Sequence, residues 1–274
     1  MSGPEALAAQ ADVLRTRVGA CWPGTRAVFR GQDLHRDLDG ISWMGLYIFG
    51  ITGRRFEAHE LRVLEGIWTM TSYPDTRLWN NRVAALAANA RSASVLGLSA
   101  AIASTEAGVF GGGPGLQSID FFLRAGEQRA AGAETEAIVA AELLANRRIL
   151  GFGRPIHATD ERLPPLMRLV QREGLDQGLH YRLAFEVEQA LLRRKPFLKL
   201  NFAGLTAALA ADLGFTARQY QLYNILKTLA GMPPCIAEAA EKPEGTLMPM
   251  PCENVTYEGV ARRSWTERGA ARHP

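Results

Sequence analysis

The chain has 274 residues, 47% hydrophobic and 22% charged, with a formal net charge of +3 at pH 7. That length allows one large domain or two interlocked ones around an ample core. The charge is too slight and its basic runs too short to argue for nucleic acid, and no apolar run approaches the length of a membrane span.

The three cysteines, Cys21, Cys235 and Cys252, lack metal-ligand spacing, so free thiols in a reducing compartment are expected. Met1 to Arg15 carries charges and no apolar core region, unlike a signal peptide, and a cytoplasmic location is the expectation. Residues 1–40 are mixed, with a short strand expected near Thr25 to Arg30. Ile41 to Ile51 is apolar and reads equally as a buried helix or a strand. Glu57 to Met70 reads as a helix with Leu61, Leu64 and Trp68 on one face. Leu78 to Ala107 reads as one long helix. Its many small residues let neighbours approach closely, so burial on several sides is expected. Gly108 ends it, and Gly111-Gly112-Gly113-Pro114-Gly115 follows. Ser118 to Arg124 opens a further helical stretch, loosened around Gly126 and Gly132. Glu134 to Arg148, Leu163 to Glu173, His180 to Arg194 and Phe202 to Leu213 are expected helices. Thr216-Ala217-Arg218-Gln219 is a capping box opening a helix to about Gly231. From Pro233 the chain reads as irregular. No period-2 alternation is long enough for a core sheet, and the fold class expected is all-α.

Three segments carry a resemblance. Val109-Phe110-Gly111-Gly112-Gly113 follows the small-residue helix. Gly151-Phe152-Gly153-Arg154-Pro155-Ile156-His157 lies between helices. Asn201-Phe202-Ala203-Gly204 leads into Leu205 to Gly214. With Tyr257-Glu258-Gly259, their order and spacing resemble the citrate synthase superfamily, especially its short members similar to citryl-CoA lyases, over about residues 40 to 262. The resemblance implies an all-α, intertwined homodimer. It places residues 1–115 and 220–274 in a large domain and 116–219 in a small domain that closes over acyl-CoA. It also implies chemistry on the carbon–carbon bond between the acyl methyl of a CoA thioester and a keto acid. That chemistry uses a carboxylate base, two histidines, and arginines that hold carboxylates.

The departures bear on function. The family has a histidine where this chain has Phe110, and another where it has Arg154. Its aspartate falls two places after an asparagine or similar residue; Asn201 lies at or next to that position, with no carboxylate nearby in sequence. Its arginine before a late glycine is Thr228 here, beside Lys227, and its late Arg-Pro is Met248-Pro249. An amide has no basic form near neutral pH, and losing a general base costs about 10²–10⁴-fold in rate. Ordinary citrate synthesis is therefore not expected.

The expected catalytic set is Arg154, His157 and Asn201. Arg154 replaces a cleft-facing histidine and would clamp an anion. His157 is either structural or an acid–base group that titrates near neutrality. Tyr73, Arg77, Arg82, Phe110, Gly111, Gly112 and Lys227 are expected at the substrate. Asp75 reads more simply as a helix cap, and Asp160 and Arg162, where the family shows an Asp-Pro-Arg-like segment, as fixing a loop. Arg147, Arg148, Gly151, Phe152 and Gly153 are expected to bind CoA, the two arginines meeting phosphates or else capping the helix behind them. No metal-ligand cluster is visible and no permanently bound cofactor is expected. The expectation is a diverged citrate-synthase-like enzyme acting on an acyl-CoA or related anionic substrate. The alternative is a non-catalytic relative that binds a CoA-type ligand or a homologous partner subunit. No nucleic-acid or membrane partner is expected.

Overall fold

Helices build most of the described chain, which in this computed structural model comprises residues 3–109, 111–154, 159–246 and 250–261. After α1 (Gly3–Ala8) comes a small antiparallel sheet of β1 (Gly19–Trp22), β2 (Arg26–Phe29) and β3 (Gln32–Asp33), in that order. β2 is the short strand expected near Thr25. The Phe29 ring meets Phe49 edge-on at 5.9 Å, and the Arg30 guanidinium donates to the Gly50 carbonyl at 2.7 Å.

The ambiguous apolar stretch is a helix, α2 (Trp43–Thr52). Ser42 Oγ accepts the Gly45 N–H at 3.0 Å and Gly53 ends the helix in the left-handed region, so capping decides what periodicity leaves open. In α3 (Ala58–Thr71), Glu57 and Glu60 cap each other reciprocally.

The long small-residue helix does not exist as one element. It breaks into α4 (Trp79–Asn89) and α5 (Ser94–Ala103). Arg91 has φ 58°, and Ser92 N–H reaches back to the Ala87 carbonyl at 2.9 Å. The small residues serve the packing of the two halves on each other: a Cβ at Gly97 would lie 2.7 Å from Ala87 Cβ. Nor is α5 enclosed, since Val95 and Leu96 are exposed.

Further on, α6 (Gly112–Ala130) begins earlier than expected and runs straight through Gly126, where the absent side chain admits the His180 ring. The expected helices α7 (Thr135–Asn146), α8 (Leu163–Arg172), α9 (Leu179–Leu192) and α10 (Phe202–Asp212) follow. The Thr216 capping box is present, but α11 (Ala217–Asn224) stops well before Gly231. The stretch read as irregular from Pro233 holds α12 (Met232–Glu241). Pro233 and Pro234 fall in its first turn, where the missing N–H groups have no intrahelical partner to lose.

α10 organises the core. Its residues Phe202 and Gly204 to Ala211 are buried around the whole helix. α6 and α9 pack on it through Ile119, Phe122, Leu183 and Val187, and α2 and α3 extend the same cluster with Ile48, Leu64 and Ile67. Two smaller clusters, one of Ala84, Ala101 and Met232 and one of Ala85, Ala88, Cys235 and Ala239, join α4, α5 and α12.

At its N-terminal end α10 crosses another piece of backbone. A Cβ on Gly204 would overlap the Gly151 carbonyl, and a Cβ on Gly151 would lie 2.7 Å from Gly204 Cα. Both obstructing partners are backbone and cannot rotate away. Gly204→Ala is expected to cost about 2–4 kcal/mol in urea unfolding. Gly66→Ala meets only the Leu169 side-chain tip and should stay within about 1 kcal/mol, because the tip can move and alanine favours helix.

Candidate functional site

The Gly-Phe-Gly turn lies against the segment that leads into α10. Gly151 and Gly153 have φ 97° and 78°, a left-handed backbone that suits glycine. Phe152 pairs with Leu200 in an isolated antiparallel bridge and buries its ring near Phe122. Asn201 N–H donates to the Gly151 carbonyl at 2.9 Å, and Gly153 N–H donates to the Lys199 carbonyl at 2.6 Å. The Gly151 carbonyl and the Gly153 N–H, two of the backbone groups expected to meet CoA, are thus engaged within the fold.

Asn201, expected in the catalytic set, is occupied at both ends of its amide. Its Oδ1 accepts the Gly204 N–H at 3.1 Å as the cap of α10, and its Nδ2 donates to the Gly153 carbonyl at 2.8 Å. Asparagine ahead of an apolar helix is an ordinary cap signal. Here the cap also fixes the residue next to Arg154.

The absence of a carboxylate near Asn201 holds only along the sequence. The fold brings Asp160, whose side chain is fully buried, against the start of α10. Asp160 accepts Arg162 Nε and Nη2, both at 2.8 Å, and the Phe202 N–H at 2.9 Å. Burial alone would raise the Asp160 carboxyl, but the Arg162 bonds and charge and the Phe202 N–H outweigh it and hold it below its ordinary value. The Arg162 guanidinium lies 4.5 Å from the Phe202 ring centre and 5.9 Å from that of Tyr73, both within cation–π range. Asp160 and Arg162 do fix the loop, as expected.

Arg154 joins this cluster. Its Nη1 donates to the Thr159 carbonyl and to Glu161 Oε2, each at 2.7 Å, and lies 3.9 Å from Asp160. Tyr73, on the turn after α3, donates its hydroxyl to Glu161 Oε1 at 3.0 Å. Burial and the bond to Glu161 raise the Tyr73 phenol, while the Arg154 bond lowers the Glu161 carboxyl. Sequence reading missed Glu161. Its signal was a carboxylate where the Asp-Pro-Arg-like segment has proline.

Lys227 completes the cluster. Its carbonyl accepts Ser72 Oγ at 3.2 Å, which anchors it beside Tyr73. No acidic side chain among the described residues pairs with its ammonium. Burial and the Arg162 charge bring its pKa down to about 8. The neighbouring Thr228 Oγ1 is buried without a hydrogen-bond partner.

The remaining expected residues lie as follows. Arg77 is exposed and tied to Asp75 at 2.7 Å; the Arg77 hydrogen bonds bring the Asp75 carboxyl down to about 2. Arg82 is exposed, without an ion pair among the described residues. It is therefore not the buried salt bridge that competed with a site role. Gly111 (φ 82°) caps α6 where a Cβ would overlap the Thr105 carbonyl, and Gly113 N–H donates to the Ala107 carbonyl at 3.2 Å, so Gly111 and Gly113 make a tight crossing while a Cβ at Gly112 would meet only ordinary contact. Arg147 ends α7 in the left-handed region with its N–H on the Leu143 carbonyl at 2.9 Å. The side chains of Arg147 and Arg148 are exposed without ion pairs among the described residues. Phe110, His157, Met248 and Pro249 lie outside the described residues. The structure thus brings together Tyr73, Arg154, Asn201 and Lys227, adds Asp160, Glu161 and Arg162, and leaves Arg77 and Arg82 on the surface.

The helix order, with α10 at its centre, is a citrate-synthase-like all-α fold. Among solved structures, citryl-CoA lyase from Hydrogenobacter thermophilus is similar, with a TM-score of 0.81 at 20% identity, covering 93% of this chain and 98% of that one. ATP citrate lyase from Methanothrix soehngenii superposes with a TM-score of 0.75 at 18% identity over 95% of this chain and 45% of the lyase, so the present chain spans just under half of it. Citrate synthase from Thermotoga maritima gives a TM-score of 0.61 at 20% identity over 82% of this chain and 60% of that one. At these identities the likeness carries the fold, and the resemblance read from the three segments is shown at that level. No protein-family model and no curated protein sequence matches the chain.

The cluster makes two predictions. Asp160→Asn leaves the half-buried Arg162 without its counter-charge and the Phe202 N–H without its acceptor, and is expected to cost about 2–4 kcal/mol at pH 7. Because the Asp160 pKa is depressed in the folded protein, this contribution is present above the unfolded carboxyl value of 3.8 and fades as pH falls through the lower folded value. Urea unfolding of both proteins from pH 7 downwards should show the gap hold to the unfolded value of 3.8 and close below it. Lys227 runs the other way. Its folded pKa is about 8 against 10.5, so the unfolded chain holds more protons between those values and stability rises with pH there. Lys227→Met should stabilise the free protein at pH 7, and the gain should shrink above pH 8.

Proposed function

We propose that the protein is a diverged citrate-synthase-like enzyme. It binds an acyl-CoA or related anionic substrate and acts on a carbon–carbon bond with a residue set other than the family's usual one. The observation that carries this is the convergence of Arg154, Arg162, Lys227 and Tyr73, from three separate segments, within a citryl-CoA-lyase-like fold. Lys227 has no acidic partner among the described residues, so an incoming carboxylate meets an uncompensated charge. A structural neighbour, the ATP citrate lyase of Methanothrix soehngenii, is in complex with citrate and coenzyme A, and another from Methanosaeta concilii with (3S)-citryl-CoA. CoA is assigned here as a substrate rather than a resident cofactor. Its phosphates fall to the exposed Arg147 and Arg148, since the Gly153 N–H is engaged by the Lys199 carbonyl.

The proposal includes a cleft between a large part (1–115 and 220–274) and a small part (116–219), and a homodimer in which the exposed Val95 and Leu96 of α5 are covered. Exposed free thiols at Cys21 and Cys252 suit a reducing compartment such as the cytoplasm. Among the described residues, no helix is long and apolar enough to cross a membrane.

A second reading is favoured by one observation. Both carboxylates at the cluster, Asp160 and Glu161, are bonded to cations that lower their proton affinity, which makes each a poor base near neutrality. That arrangement suits a non-catalytic member binding a CoA-type ligand or a homologous subunit.

A thermal-shift titration with CoA, acetyl-CoA and citryl-CoA, coupled to an assay of citryl-CoA cleavage, tests both. At 100 times Kd a ligand bound only by the folded state adds about 2.7 kcal/mol. A clear rise in Tm is expected, reduced in Arg147→Ala/Arg148→Ala. Stabilisation with turnover supports the enzyme, and stabilisation without turnover the second reading. No stabilisation and no turnover with any of the three rejects both.

A further inference from the structure

The two acidic side chains at the cationic cluster are held very differently. Asp160 is sealed: its side chain is fully buried and accepts two bonds from Arg162 and one from a helix N–H. Glu161, the next residue, has a side chain 60% exposed. Among the described residues it meets the cluster through its head, with Oε2 on Arg154 Nη1 at 2.7 Å and Oε1 on the Tyr73 hydroxyl at 3.0 Å. One oxygen on a guanidinium and the other on a phenol is how these two donors would hold any small carboxylate.

We propose that Glu161 is an internal stand-in for the substrate's carboxylate, seated on Arg154 and Tyr73 in the free protein and exchanged for a carboxylate of the ligand on binding. The inference rests on the reading of the cluster as an anion-binding site. Exchange makes affinity a difference between two carboxylates, so a monocarboxylate gains little by displacing Glu161. A ligand with a second carboxylate gains more. One group takes Arg154 and Tyr73, while the other meets Lys227, which has no acidic partner among the described residues. Glu161 is then a specificity-determining residue. It selects polycarboxylates by penalising ligands that offer only one anion, and the exposure of its side chain gives it solvent to move into.

The experiment is isothermal titration calorimetry of the full chain with citrate and with acetate. It compares the unaltered protein, Glu161→Gln, Glu161→Gln/Arg154→Gln and Glu161→Gln/Tyr73→Phe, with each fold checked by circular dichroism. Glutamine keeps the shape and an acceptor for Tyr73 but removes the charge. Glu161→Gln is expected to bind citrate about tenfold more tightly, since a competing ion pair and a like charge are both removed. Acetate, bound weakly or not at all by the unaltered protein, should gain detectable binding. The citrate gain should vanish with Arg154→Gln and fall in part with Tyr73→Phe. Equal or weaker citrate binding by folded Glu161→Gln overturns the proposal. So does a gain that survives Arg154→Gln, or the absence of citrate binding in every form. CoA stabilisation, measured separately, distinguishes the two levels. CoA binding without a Glu161 effect removes this inference alone, and a Glu161 effect without CoA binding removes the acyl-CoA reading alone.

Discussion

Where two backbones cross without side chains between them, the position of everything attached is set within narrow limits, and here that crossing is Gly151 over Gly204. It exists because α10 is buried around its whole circumference and is made of small residues at its contact surfaces. The closeness brings the Gly151 carbonyl to the Asn201 N–H, and Asn201 then spends its amide on Gly204 and Gly153. Arg154 is the next residue along. A packing constraint in the core therefore decides where a guanidinium sits at the surface, and the conformational freedom of glycine is what permits it.

The charges at the cluster are arranged in steps of decreasing closure. Arg162 and Asp160 are tied by paired hydrogen bonds and shielded by the Tyr73 and Phe202 rings. Such a pair adds little to stability over an apolar alternative, but neither half tolerates losing the other. Arg154 and Glu161 are tied by a single bond, with the acid open to water. Lys227 has no acid at all among the described residues. Exposure rises from Asp160 to Glu161, so Glu161 is the acid that a ligand arriving from outside meets first, whereas Lys227 is buried.

Much of the helical architecture was legible because its signals are local. The Thr216 and Gln219 capping box, the four-residue steps of Leu183, Val187 and Leu191, and the apolar face of α3 all survive intact. The break between α4 and α5 was hidden because its left-handed residue is Arg91, not glycine, and alanine continues on both sides. Pro233 and Pro234 read as the end of order because proline breaks a helix interior, yet at a first turn they start one. The site was harder for a different reason. Family position made Asn201 look catalytic, while its cap chemistry was written in the apolar run after it. Asp160 on the Phe202 N–H and Glu161 on Tyr73 join residues 42 and 88 positions apart, and no spacing rule foretells such contacts. Three glycine-bearing segments in order still sufficed to read the fold.

If Arg154 stands at the family's histidine, as the resemblance implies, the position does something different. An imidazole can give and take a proton near neutrality, whereas a guanidinium stays charged and can only hold. The resemblance puts Asn201 at or next to the family's aspartate, and an amide takes no proton near neutrality. Breaking or making a carbon–carbon bond beside a carbonyl still requires a proton to move. Asp160 is sealed and Glu161 is held in its ionised form by Arg154, so neither takes one readily. Within the described cluster, Lys227 is the group with a proton affinity closest to neutrality, at about 8, and the Arg162 charge that lowers it also keeps any bound anion close by. On the enzyme reading proposed above, chemistry by these residues would run through the Lys227 amine, with Arg154 and Arg162 holding the charge that develops. A protein that retains the cations but loses that amine would be left with binding alone.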